Sequence, residues 1–222
     1  MKKLEQDLHD LRTQVSNMGS LTKNMVRRVV EAIQGTDQDT VFEAILTEED
    51  RLDQMQLDVD REAVRLLTVY SPVASDLRFV LSVTRVAAEL ERVGDLSKNI
   101  CGSLQLMLNK TNTQPIPPLQ KMADEVYVMV QEAMDALLNS DSRKARKTIR
   151  HDDLVDAMYD QVLEELLSDD IVQQGIEEKI DLASTMAQIL LCRSLERIGD
   201  QATNICEEVV YMVKGDDIRH QG

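Results

Sequence analysis

The chain repeats itself. Residues 90–101 read LERVGDLSKNIC and residues 195–206 read LERIGDQATNIC, and at an offset of 105 positions eight of these twelve residues are identical. An earlier match lies at an offset of 103, where Glu49-Asp50-x-x-Asp53 parallels Asp152-Asp153-x-x-Asp156. A unit of about half the chain, used twice, restricts the fold to one supersecondary design built in duplicate. The seam between the copies is legible too. Three of the four prolines fall in Asn109-Lys110-Thr111-Asn112-Thr113-Gln114-Pro115-Ile116-Pro117-Pro118. Proline removes a helical hydrogen bond and clashes with the preceding turn, so no helix runs through this stretch.

Each unit reads as three helices. Leu4, Leu8, Leu11, Val15, Met18, Leu21 and Met25 recur at helical steps, which predicts a first helix over about 4–34. Gly35 is its expected C-cap, with Thr36-Asp37 starting the next helix. That helix is expected over about 38–70, with Leu52, Met55, Val59, Ala63 and Leu66 on one stripe. Ser71-Pro72 breaks it, and a third runs over about 73–108. The second unit predicts helices over about 118–139, 142–167 and 176–214, with a turn near Gly175 and a final C-cap at Gly215. Eight Gly and four Pro are too few to punctuate a sandwich or barrel, whose turns recur every 8–12 residues or so. The expected fold is therefore all-α: two tandem three-helix bundles, over 1–110 and 119–222, joined by a Pro-rich linker at 111–118.

The carboxylates carry the chemistry. At about 100° per residue, Asp95 lies about 40° and Asn99 about 80° around the helix from Glu91, opposite Val93, Ile100 and Leu104. Glu196, Asp200 and Asn204 repeat the line opposite Ile198, Ala202, Ile205 and Val209. In an antiparallel hairpin, residues equidistant from the turn lie level. Asp53 and Glu91 are equidistant from position 72, and Asp50 and Asp95 from 72.5, beside the break at Pro72. Asp156 with Glu196, and Asp153 with Asp200, centre likewise on 176 and 176.5, beside Gly175. Gathered like charges repel unless something neutralises them. Oxygen ligands suit Mg, Ca, Mn and Fe, and Zn less selectively, so Asp50, Asp53, Glu91, Asp95, Asn99, Asp153, Asp156, Glu196, Asp200 and Asn204 are candidate metal ligands. The competing reading is a solvated acidic face paired to Arg92 and Arg197. Gly94 and Gly199, mid-helix beside each Asp, mark either a close approach or a tolerated glycine.

Charge and motifs exclude other classes. With 40 acidic against 25 basic side chains the net charge is −15, which repels nucleic acid and anionic lipid. No run of about 18 apolar residues offers a membrane span, and the N-terminus has no apolar segment of a signal peptide. Cys101, Cys192 and Cys206 are an odd set without paired spacing, which suits buried thiols in a reducing, cytoplasmic setting. There is no glycine loop for phosphate and no nucleophile arrangement, so an enzyme is not expected. The enzymatic rival is a di-iron carboxylate oxidase, but its Glu-x-x-His pattern is missing: Gly94 and Gly199 stand three residues after Glu91 and Glu196. A purely structural helical adaptor is the third reading. The basic run Arg143-Lys144-Ala145-Arg146-Lys147 with Arg150 is either a docking surface or a solvated face, and His151 is an additional candidate for the second acidic patch. The halves also differ, with Glu207-Glu208 where the first has Gly102-Ser103, and His151 where it has Glu48.

The run from Leu195-Glu196-Arg197-Ile198-Gly199-Asp200 through Asn204-Ile205-Cys206 to Lys214-Gly215 resembles the PhoU family, as does Asp76-Leu77-Arg78-Phe79 followed by Leu90-Glu91-Arg92-Val93-Gly94-Asp95. The resemblance covers nearly the whole chain and implies two three-helix bundles with pseudo-twofold similarity. It implies a cytoplasmic negative regulator of phosphate uptake and of the phosphate-starvation response. The implied partners are the ATPase subunit of the phosphate ABC transporter, a sensor histidine kinase and a second copy in a homodimer. It also implies multinuclear clusters of Fe, Mn, Mg or Zn on the Glu91/Asp95 and Glu196/Asp200 faces, with Asp50, Asp53, Asp153 and Asp156 as partners.

Overall fold

A computed structural model describes residues 2–35, 38–111, 113–167 and 182–219. They form helices α1 (Lys2–Ile33), α2 (Gln38–Tyr70), α3 (Ala74–Thr111), α4 (Pro117–Asn139), α5 (Ser142–Ile149), α6 (Asp152–Leu166) and α7 (Leu182–Lys214), with no strand among the described residues. The ends follow local chemistry. Gly35 and Gly215 close α1 and α7 at φ 93° and 78°, a left-handed conformation that costs a glycine nothing. Ile116 is extended before Pro117, and Pro117 opens α4, where its missing N–H would have had no partner. Asp141 caps α5, its carboxylate accepting from the Arg143 and Lys144 backbone N–H groups at 2.9 and 3.0 Å.

The second unit departs from the expected helix over 142–167. Its outer helix is in two pieces, α5 and α6, because the chain tightens at Arg150-His151. Both residues keep right-handed helical angles, and the His151 N–H donates to the Thr148 carbonyl three residues back at 2.9 Å. The pieces act as one bent helix, so the six-helix plan stands. The turn expected near Gly175, the start of the last helix near 176 and the Thr36-Asp37 cap lie outside the described residues.

Each unit buries its stripes in a three-helix bundle: α1, α2 and α3 in the first, and α4, α5–α6 and α7 in the second. The most extensive helix pairing in the molecule, however, joins α3 to α7 across the units. Cross-seam contacts show that the two run antiparallel. Arg85 Nη1 lies 3.2 Å from Glu208 Oε1, and Asn204 Nδ2 lies 3.5 Å from Glu89 Oε2. Leu52 and Leu66 of α2, Leu90 and Ile100 of α3, and Leu195 and Ile198 of α7 belong to one continuous buried cluster. Met18, Met25, Met107, Met122, Met129, Met134 and Met212 fill it, unbranched side chains suited to irregular gaps. Among the described residues no helix is long and apolar enough to cross a membrane.

Candidate functional site

The α2–α3 hairpin turns at Ser71–Val73 and brings α2 alongside α3. Four carboxylates come level there: Glu49 and Asp53 from α2, Glu91 and Asp95 from α3. Burial is the first cause that pushes Asp53, Glu91 and Asp95 above the ordinary carboxylate range. Neighbouring negative charge adds to it: Glu49 on Asp53, Asp95 and then Asp53 on Glu91, and a hydrogen bond shared with Glu49 on Asp95. The structure thus sets Asp53 beside Glu91. It also provides a resident cation, since Lys98 Nζ lies 2.8 Å from Glu49 Oε1.

The second unit repeats the arrangement with Asp152 and Asp156 from α6 and Glu196 and Asp200 from α7. Asp152 is pushed up to about 6, by burial first and then by Asp156 and Asp200. Glu196 is raised by burial, Asp200 and Asp156, with Arg193 pulling the other way, and Asp200 is raised by burial and Asp156, with Arg197 pulling the other way. The position equivalent to Lys98 is Thr203, which brings no charge, and the positive charge beside the second patch comes from Arg193 and Arg197 instead. Each patch holds a buried carboxylate oxygen without a hydrogen-bond partner, Asp53 Oδ1 and Asp152 Oδ1. A buried polar atom left unpaired is costly, and a cation would satisfy it.

Asp50 and Asp153 are exposed and stand outside these sets, exerting the weakest of the named influences on Asp53 and Asp152. Their inward neighbours are Glu49 and Asp152, which give each α2-type helix a carboxylate pair four residues apart, like Glu91/Asp95 and Glu196/Asp200 opposite. The offset of 103 already matched Glu49 to Asp152, so that spacing was the available signal. Asn99 and Asn204 look along the α3–α7 seam instead. Asn99 lines a groove there with Arg197, and Asn204 donates to Glu89. His151 turns toward α4, its Nδ1 3.8 Å from Glu132 Oε2. As the side chains stand, no three His, Cys, Asp or Glu groups among the described residues converge on a metal position. The donor chemistry and the two unpartnered oxygens fit a hard cation, and seating one requires carboxylate rotations.

The two glycines serve different ends. A Cβ on Gly94 would lie 2.6 Å from Leu52 Cδ2, so a side chain there would force the buried Leu52 to shift. On Gly199 the nearest contact would be 3.4 Å, from Val155 Cγ1, which is ordinary packing. The three thiols are buried and free, and burial pushes each up to about 12, which removes them as nucleophiles.

Comparison with known proteins agrees with this architecture. A family model described as the PhoU domain matches residues 15–104 and again 119–209, one match per unit. The phosphate-specific transport system accessory protein PhoU homolog of Pseudomonas aeruginosa is 33% identical over 217 residues, spanning 97% of this chain and 87% of that protein. The corresponding protein of Escherichia coli, PhoU, is 29% identical over 216 residues, spanning 97% and 87%. The crystal structure of PhoU from P. aeruginosa superimposes with a TM-score of 0.85 at 31% identity, over 96% of this chain and 99% of that one. The regulatory protein PhoU from Streptococcus pneumoniae shares the fold, with a TM-score of 0.85 at 24% identity over 96% and 98%. With both units matched, the antiparallel α3–α7 seam joining them and the signature carboxylates set at the hairpins, this chain belongs to the PhoU family.

Proposed function

We propose that this protein is a non-enzymatic accessory regulator of bacterial phosphate uptake, docking on the ATPase subunit of a phosphate transporter and relaying its state to a sensor histidine kinase. The observation that carries the reading is similarity over 97% of the chain to proteins named as accessory to phosphate-specific transport. The three cysteines are buried, and burial pushes each thiol up to about 12, which makes them poor nucleophiles. Deleting the gene should raise alkaline phosphatase output in phosphate-rich medium, and restoring it should repress that output. Unchanged output in the deletion strain would overturn the reading.

The acidic patches are proposed to bind divalent or trivalent cations such as Fe, Mn, Mg or Zn. Glu49, Asp53, Glu91 and Asp95 would hold them in the first unit, and Asp152, Asp156, Glu196 and Asp200 in the second. A bound cation supplies positive charge that cancels part of a −15 surface and fixes the hairpin faces used in docking. Elemental analysis of protein purified without chelators or nickel resin should find metal, and the Asp95→Asn/Asp200→Asn double variant should lose it. Equal metal content in both proteins would remove these residues from the site. Oxygen-dependent turnover of Fe(II) would instead favour an oxidase.

A further inference from the structure

The pseudo-twofold relation between the units makes the two ends of the α3–α7 seam comparable position by position. At one end the seam is filled from within. Glu208, almost fully buried, is held by Arg85 at 3.2 Å and by Arg219 of the C-terminal tail at 2.9 Å. Both guanidinium groups also sit over the Tyr211 ring, at 5.8 and 5.6 Å from its centroid. That end is a carboxylate clamped by two arginines against an aromatic face.

At the other end the filling residues are missing. An offset of 105 positions carries Glu208 to Ser103, Glu207 to Gly102, Tyr211 to Leu106 and Arg85 to Leu190. The smaller side chains leave a groove of about 450 Å³ between α3 and α7, with Leu96, Leu106 and Leu190 among its walls. A Cβ on Gly102 would meet nothing within 4 Å, so the space is open at that point. The groove has positive charge from other positions. Arg193 and Arg197, one helical turn apart on α7, both line it. Neither guanidinium group makes a hydrogen bond or a direct ion pair among the described residues, although Arg193 and Arg197 act at longer range on Glu196 and Asp200. Two guanidinium groups without a direct partner therefore stand over a part-apolar hollow. The volume is that of a small-molecule site, and the guanidinium fork recognises phosphate and carboxylate oxygens in pairs.

We propose that this groove binds a small organic anion. Its phosphate, carboxylate or sulfonate head lies between Arg193 and Arg197, and its flat apolar body lies along Leu96, Leu106 and Leu190, in the place that Glu208 and Tyr211 fill at the other end. The groove borders the second acidic patch, since Arg193 and Arg197 also pull Glu196 and Asp200 down, but neither carboxylate lines it, and anion binding there does not depend on the transport reading.

The test uses the full-length protein and anilinonaphthalene sulfonate, a fluorescent organic anion of this shape. One equivalent should bind saturably. Arg193→Gln/Arg197→Gln should weaken binding at least tenfold. Gly102→Leu, whose Cβ would meet nothing within 4 Å, should abolish it with unchanged helical circular dichroism. Arg143→Gln/Arg150→Gln, which removes the same charge from a distant face, should leave it unaltered. Adenosine monophosphate should displace the dye far better than inorganic phosphate or adenosine does. The proposal fails if the dye does not bind saturably, if Arg193→Gln/Arg197→Gln binds like the wild type, or if both arginine pairs weaken binding equally. It also fails if inorganic phosphate competes as well as the nucleotide, since that marks a bare oxoanion site.

Discussion

Asp152 concentrates the electrostatic cost of the second patch. Its folded pKa, about 6, stands above the unfolded value of 3.8, so the folded state holds the proton more tightly. The associated stability is present in full below the unfolded value and is lost as pH rises through about 6. Metal-free protein should therefore gain thermal stability on acidification from pH 7 to pH 5. Asp152→Asn should raise stability at pH 7 by about 1 kcal/mol, a value reduced for solvent screening of a partly exposed side chain, and should flatten that part of the pH profile. Thermal melts with chelator present check both, and added Mn(II) should stabilise the wild type more than the variant. The paired glycines give a second contrast. Gly94→Ala drives a methyl into Leu52 and should cost about 1 kcal/mol net, since overpacking exceeds the gain in helix propensity. Gly199→Ala meets only ordinary contacts and should stabilise by up to about 1 kcal/mol. Equal responses in denaturant titrations would refute the close approach at Gly94.

Among the helices, the joint between α4 and α5 rests on one side chain. Asp141 holds two otherwise free N–H groups of α5, and those bonds set its carboxyl below the ordinary range, the Lys144 N–H contributing most. The sign is opposite to that of Asp152: this stability is present above the unfolded pKa and is lost as pH falls through the lowered folded value. Asp141→Ala should lower the melting temperature by about 2–4 °C at pH 7 and by less near pH 3. The helices themselves were largely legible in sequence, because apolar periodicity and the Gly and Pro stops are local signals. The span 38–70 of α2 was read to the residue. The tightening at Arg150-His151 was not legible, because neither residue is a breaker and both remain helical.

Over the whole molecule, the two repeats share one hydrophobic core. The α3–α7 pairing is the largest helix contact among the described residues, and Gln34, just past the end of α1, also donates to Asp124 of α4 at 2.9 Å. A chain divided between positions 112 and 113 should therefore reassemble when the halves are co-expressed. Each half alone exposes the seam face of α3 or α7 and should aggregate or melt well below the intact protein. Co-purification of a tagged first half with an untagged second half is the measurement, and independent stable halves would contradict a shared core.

The duplication, the helical periodicity and the level placement of Asp53 with Glu91 and of Asp156 with Glu196 were all present in the amino-acid order. Each depends on spacing along one chain or across one short hairpin. Which flanking carboxylate turns inward was not, because Glu49 and Asp50 lie on either side of the same line and only packing against α3 chooses Glu49. Nor was the groove at the α3–α7 seam legible. It arises where Gly102, Ser103, Leu106 and Leu190 meet across some 90 residues of chain, and the space between them depends on how two distant helices pack.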